Sequence, residues 1–183
     1  EPAGLAPDPL TTEEAVLHVY GADAWSWRGW FAIHTWIAVK RTGESAYTVY
    51  DVVGWRSQNG QPVVRIRQDV PDRHWYGERP RILKAHQGPG VDALIDAVDS
   101  AAKNYPWKTT YKIFPGPNSN TFTAWVAREV PELDLNLPLS AIGSGYADYN
   151  LHNIDPNYTD AANGDFTIAT LSSPVVDAGD PST

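Results

Sequence analysis

The chain contains no cysteine and no methionine. Without a thiol it can form no disulfide, bind no metal through thiolate and use no cysteine nucleophile, and its redox compartment cannot be read from thiol usage. Long apolar runs are missing too: no stretch reaches the roughly eighteen residues that a membrane-spanning helix requires. Positive charge is sparse, with 14 Lys and Arg against 22 Asp and Glu and a net charge of -8. The basic residues are scattered rather than clustered, which argues against a sequence-independent grip on phosphate backbones, so nucleic acid is not an expected partner. Metal-type spacing is also lacking. His18, His86 and His152 stand at no ligand interval from one another or from carboxylates, and neither a zinc site nor any cofactor is expected.

What is present suits one domain, because a chain of 183 residues buries about 70% of the surface it exposes when unfolded. The opening, EPAGLAPDPLTTEE, carries Pro2, Pro7 and Pro9 and little periodicity. Residues 1–13 are therefore expected to form an extended linker, of the kind that follows a removed signal or anchor. The folded domain is expected over residues 14–147, with a tail rich in Asp, Asn, Gly and Pro over 148–183 that wraps the surface or stays partly flexible.

Within the domain, AVLHVYGA reads as a short strand and WFAIHTWIAVKR as a longer one. Alternation places Phe31, Ile33, Thr35, Ile37 and Val39 on one face and Ala32, His34, Trp36 and Ala38 on the other. Both faces are largely apolar, the pattern of a central strand covered on both sides, so His34 projects from a sheet interior beside Trp36. AYTVYDVVGWR and PVVRIRQ, separated by SQNG, predict a hairpin. After the polar loop PDRHWYGERP the period changes to three and four: Val91, Leu94, Ile95, Val98, Ala101 and Ala102 predict a surface helix that ends by about Asn104, ahead of Pro106. TTYKIF predicts a short strand. TFTAWVAREV predicts a second helix with Phe122, Trp125, Val126 and Val130 on its apolar face, closed by Pro131. In the tail only FTIATL is suited to a strand. Strands followed by helix, strand and helix predict an α+β domain, an antiparallel sheet with two main helices.

The chemistry-bearing stretch is PGPNSNTFTAWV. Asn118, Ser119 and Asn120 are all good helix caps, whose side-chain oxygens accept from the first backbone donors of the helix. Capping alone accounts for their presence. A functional reading makes Ser119 a nucleophile at the positive end of the helix dipole, with free amides nearby as oxyanion donors, and then a base is required. His34, fixed on a strand interior, is the candidate base, set against the plainer reading of a hydrogen-bonded core histidine. His74 and Trp75, in the loop with Asp72 and Arg73, form a candidate ligand-binding turn or a salt-bridged loop anchored by Trp75 and Tyr76, the latter favoured. The run DAANGD, Asp160 to Asp165, lacks a closing Glu and reads as a solvated turn rather than a calcium loop. The NYT sequon at Asn157 matters only in a eukaryotic secretory setting. Of the eight tryptophans, Trp25, Trp27 and Trp30 cluster in AWSWRGW, where they either fill a core edge or stack on sugar rings, the first being favoured.

Residues from about Trp25 to Ala141, through WRGWFAIHTWIAVK, YDVVGWR, PDRHWYG and PGPNSNTFTAWVAREVPEL, resemble an uncharacterised bacterial family classed only as a domain of unknown function. The resemblance implies an N-terminal membrane anchor and an envelope location, periplasmic or extracellular. More remotely, a His on a strand followed by N-x-x-x-F opening a helix is similar to circularly permuted NlpC-type papain-like hydrolases, whose pattern is N-C-x-x-F. In NSNTF, Ser119 stands where that cysteine would be, and a serine hydroxyl is far less ionised than a thiol near neutral pH. The resemblance implies a permuted papain-like core with a third polar residue on the following strand, where Tyr50 and Asp51 are both available and Asp51 enters the candidate set. The closing segment, NIDPNYTDAANGDFTIATLSSPVVDAGDPST, looks like the end of right-handed parallel β-helix surface proteins. No stacked repeats precede it, so it cannot form that fold alone.

These readings converge on an envelope domain with candidate catalytic residues Ser119, His34 and Asp51 and candidate ligand-binding residues Trp36, His74, Trp75, Asn118 and Asn120. The leading expectation is a non-catalytic or weakly active module that binds a cell-wall or carbohydrate ligand or joins a surface assembly. The alternative is a serine-dependent amidase or acyl-transfer hydrolase.

Overall fold

A computed structural model describes residues 1–24 and 32–146, together with the backbone of 158–160 and 165–168. Trp25, Trp27, Trp30, His152, Asn157 and the 161–164 centre of the DAANGD run lie outside those residues.

Seven strands and three α-helices are described, in the order β1 (Val16–Asp23), β2 (Ile33–Lys40), β3 (Thr48–Val52), α1 (Trp55–Gln58), β4 (Val64–Gln68), β5 (Arg81–Gln87), α2 (Val91–Lys103), α3 (Ser119–Glu129), β6 (Tyr158–Asp160) and β7 (Asp165–Ile168). The first five strands make one antiparallel sheet in the order β4-β3-β2-β1-β5, and β6 pairs with β7 in a separate two-stranded sheet. The α+β class and the antiparallel sheet with two main helices are as the patterning predicts.

The central position of β2 follows from its two apolar faces: every residue of Ile33–Lys40 is buried. One face of the sheet, with Leu17, Val19, Ile37, Val39, Tyr50 and Val52, packs against Ile95 and Val98 of α2 and Phe122 and Val126 of α3. The opposite face, with Val16, Tyr20, Ala22, Trp36, Ala38 and Val49, is covered by Leu5 and Ala6 of the N-terminal segment and by Trp75. Residues 1–13 thus form no helix or named strand, yet they act as a strap over the sheet. Asp72, buried, accepts from the Leu5 amide at 2.5 Å and the Ala6 amide at 3.2 Å, while Tyr47 donates to the Pro7 carbonyl at 2.9 Å.

Local expectations differ from the structure at several points: α1 takes the WR that closes AYTVYDVVGWR and the SQ of SQNG, so β3 and β4 are joined by a helical turn rather than a tight hairpin, and β6 forms outside FTIATL. TTYKIF forms no strand: the segment is irregular, and the Lys112 amide donates locally to the Pro117 carbonyl. β5, unforeseen, is an edge strand along β1 whose RILKAHQ sequence alternates without a β-branched run, which leaves a weak period-two signal. α3 begins at Ser119 rather than Thr121, because its cap is Asn118. α2 ends at Lys103 with Asn104 as its C-cap, as Pro106 requires.

Candidate active cleft

The pairing of β2 with β3 spans Ile37↔Tyr50 to Val39↔Thr48, whereas β3 stays paired with β4 as far as Val52↔Val64. Toward the start of β2, tertiary partners take the place of a β3 ladder. The Ile33 amide donates to the Ser140 carbonyl at 3.0 Å, and the Ile33 carbonyl accepts from Asn120 Nδ2 at 2.9 Å. The Thr35 hydroxyl reaches the Asn120 side-chain oxygen at 3.0 Å, the Thr123 hydroxyl at 2.9 Å and the Ser119 carbonyl at 3.3 Å. These bonds seat the first turn of α3 beside residues 33–35.

Asn118 holds that turn from the other side. Its Oδ1 accepts from the Asn120 amide at 3.0 Å and the Thr121 amide at 3.1 Å, and the Thr121 hydroxyl accepts from the Asn118 amide at 3.1 Å, which completes a capping box. Its Nδ2 donates to the carbonyls of Ile113 at 2.9 Å and Ile142 at 3.1 Å. Gly143, at φ 91°, lies so close that a Cβ there would sit 2.4 Å from Asn118 Nδ2. The side chains of Asn118 and Asn120 are therefore committed to the protein, while Ser119 is not. Among the described residues, neither the Ser119 hydroxyl nor its amide makes a hydrogen bond.

The turn lines a cleft of about 820 Å³, together with Ile33 and His34 of β2, the end of β3 through Trp55, Arg65 and Arg67 of β4, Arg73, Trp75 and Tyr76 of the loop before β5, and Tyr111, Ile113 and Phe114. The volume is that of a site for a small organic ligand. Trp55 and Tyr76 stand at it 58% and 71% exposed. His34, only 8% exposed, stacks on Trp75 with ring centroids 3.7 Å apart and planes 9° apart, and its Nε2 is buried with no hydrogen-bond partner. Burial pushes the His34 imidazole down to about 3, outweighing the nearby Asp51 carboxylate, so the ring is neutral near pH 7.

Of the candidate site residues, Ser119, His34, Trp75, Asn118 and Asn120 share this cleft. Three are placed otherwise. Trp36 is buried in the second core, stacked on Tyr20 and donating from Nε1 to the Pro71 carbonyl at 2.7 Å. His74 clasps the N-terminus, its amide and its Nδ1 each 3.1 Å from the Glu1 carbonyl. Asp51 is bound by arginine: Arg65 Nε and Nη2 approach at 3.0 and 2.6 Å and Arg73 Nη2 at 2.6 Å. Burial alone would raise the Asp51 carboxyl, but the two guanidinium groups prevail and hold it below its ordinary value. Arg73 also pairs with Asp69, as does Arg67. The sequence reading overlooked these arginines of β4, although the alternation in PVVRIRQ already set Arg65 and Arg67 on one face.

Residues 14–146 match the family described as "Protein of unknown function (DUF3750)". The chain belongs to the DUF3750 family. The matched span holds the whole five-stranded sheet, all three helices and every residue of the cleft, so the site is part of the DUF3750 domain itself. The strap and the segment with β6 and β7 lie outside the DUF3750 match. No curated protein and no solved structure matches the chain.

Proposed function

We propose that this DUF3750 domain is a non-catalytic relative of permuted papain-like hydrolases, and that its cleft binds a cell-wall or carbohydrate ligand in the bacterial envelope. The observation that carries this reading is the cleft itself: about 820 Å³, bordered by Trp55, Trp75, Tyr76 and Tyr111 and edged by Arg65, Arg67 and Arg73. Aromatic faces supply the apolar surface on which sugar rings stack, and guanidinium forks supply donors to hydroxyl and carboxylate groups. The remote kinship with papain-like hydrolases rests on the order of His34 and NSNTF and on the seating of both at one cleft.

The competing reading, a serine hydrolase, draws support from the uncommitted hydroxyl and amide of Ser119 at a helix N-terminus. Three features favour binding over catalysis. His34 Nε2 makes no hydrogen bond to Ser119, the ring is a far weaker base than proton abstraction near neutral pH calls for, and Asp51 is held by arginine rather than orienting the imidazole.

Titration of the full chain with soluble glycan fragments, followed by tryptophan fluorescence and calorimetry, tests the proposal. Saturable binding is expected, weakened roughly ten-fold in Trp75→Ala, the scale of a lost aromatic contact of about 1.5 kcal/mol. Absence of saturable binding to any fragment would refute it. A fluorophosphonate probe separates the two readings: labelling of the wild type but not of Ser119→Ala would favour the hydrolase.

A further inference from the structure

The first turn of α3 and His34 of β2, which line the same cleft, carry three hydrogen-bonding groups that nothing in the described protein uses. The Ser119 amide lies at N1 of an eleven-residue helix, where the backbone dipole favours negative charge. The Ser119 hydroxyl is free, on a residue only 5% exposed. His34 Nε2, from the neighbouring strand, is buried and unpartnered, and His34 lines the same cleft. A buried polar group left without a partner is costly, and native structures retain such groups where a ligand or water meets them. With its proton on Nε2 the neutral imidazole is a donor, so all three groups are hydrogen-bond donors on residues that line one cleft.

Charge around the cleft limits what that acceptor is. Arg65, Arg67 and Arg73 are paired with Asp51 and Asp69, three positive groups against two negative, which leaves an excess of one positive charge among these residues. One negative charge on the ligand balances that excess, whereas a dianion overshoots it. The remaining polar side chains of the turn, Asn118, Asn120 and Thr121, are occupied by the protein and do not compete for the ligand.

We propose that the cleft holds a carboxylate of its ligand at the first turn of α3, between the Ser119 amide and hydroxyl and the His34 imidazole. This rests on the reading of the cleft as a carbohydrate site and narrows it to acidic sugars. No bond forms or breaks in the protein: the site orients a ligand whose sugar ring lies against the aromatic border and whose acid group enters the turn.

The test compares probe pairs of which one member is acidic: glucuronic acid against glucose, which differ only in the carboxylate at C6, and N-acetylmuramic acid against N-acetylglucosamine, which differ by the acidic lactyl ether, each titrated into the full chain by calorimetry. The acidic member is expected to bind at least ten-fold more tightly. In Ser119→Ala that preference should shrink to about three-fold, and in His34→Phe likewise. Circular dichroism confirms folding, and Ser119→Ala stands alone should the His34 variant fail to fold. Equal affinity within each pair overturns the carboxylate subsite but leaves the carbohydrate reading intact, whereas no binding by any probe overturns both. A preference retained in full by Ser119→Ala places the acid group elsewhere, at the arginines, and overturns the assignment.

Discussion

At the residue scale, the neighbours Asn118 and Ser119 carry opposite burdens. The Asn118 side chain accepts from two helix amides and donates to two carbonyls from separate loops, all within 3.1 Å. Asn118→Ala removes the cap, worth about 1 kcal/mol, and strips a partner from buried groups at a further cost of about 1–3 kcal/mol. Urea unfolding is expected to show a loss of roughly 2–4 kcal/mol for Asn118→Ala. Ser119→Ala, which breaks no hydrogen bond, should stay within about 0.5 kcal/mol of the wild type. The reverse order would mean that Ser119, not Asn118, anchors the helix.

At the element scale, the strap and the 71–79 loop stabilise one another. The Ala3 amide donates to the Asp72 carbonyl at 3.0 Å, Arg79 donates to the Ala3 carbonyl at 3.0 Å, and the Asp72 carboxylate takes the amides of Leu5 and Ala6. The same loop carries Arg73, Trp75 and Tyr76 into the cleft. Removing the Asp72 carboxylate leaves two strap amides without acceptors and weakens the hold of Leu5 and Ala6 on the Trp36 face. Asp72→Ala is therefore expected to speed amide hydrogen exchange across residues 1–8 and 71–79 together, while β1 and β2 keep their protection. Faster exchange in residues 1–8 alone would show that the loop stands without the strap.

At the scale of the whole molecule, stability should depend on pH through buried imidazoles before it depends on carboxylates. His34 is held down to about 3 from an ordinary 6.5, and burial lowers His18 as well. The unfolded chain takes up these protons first. The contribution is thus complete above about pH 6.5 and is lost as the pH falls toward 3, with a slope of up to about 1.4 kcal/mol per pH unit for His34. Asp51, lowered from 3.8 with its two arginine partners, joins only below about pH 4. Urea midpoints measured between pH 6.5 and 4.5 are expected to fall steadily in the wild type and less steeply in His34→Gln. Parallel profiles for the two proteins would show that His34 is already protonated in the fold.

Local physics settled much of this architecture from the sequence by itself. Alternation along IHTWIAVK required a central strand with two buried faces, the three-and-four period from Val91 required α2, Pro106 set its end, and the absence of cysteine removed thiol chemistry. Such signals are written in neighbouring residues, and backbone sterics and side-chain periodicity read them directly. β5 escaped because an edge strand is defined by its partner rather than by its own residues, and TTYKIF misled because β-type residues without a partner strand need not pair. The roles of Asp51, Trp36 and Ser119 were beyond local reading for the same reason. Only the folded chain brings Arg65 and Arg73 onto one carboxylate, seals Trp36 beneath the strap, and leaves the Ser119 hydroxyl unused beside His34. Hydrogen bonds and burial between residues distant in sequence are decided by tertiary packing, and these fix what each side chain has left to offer a ligand.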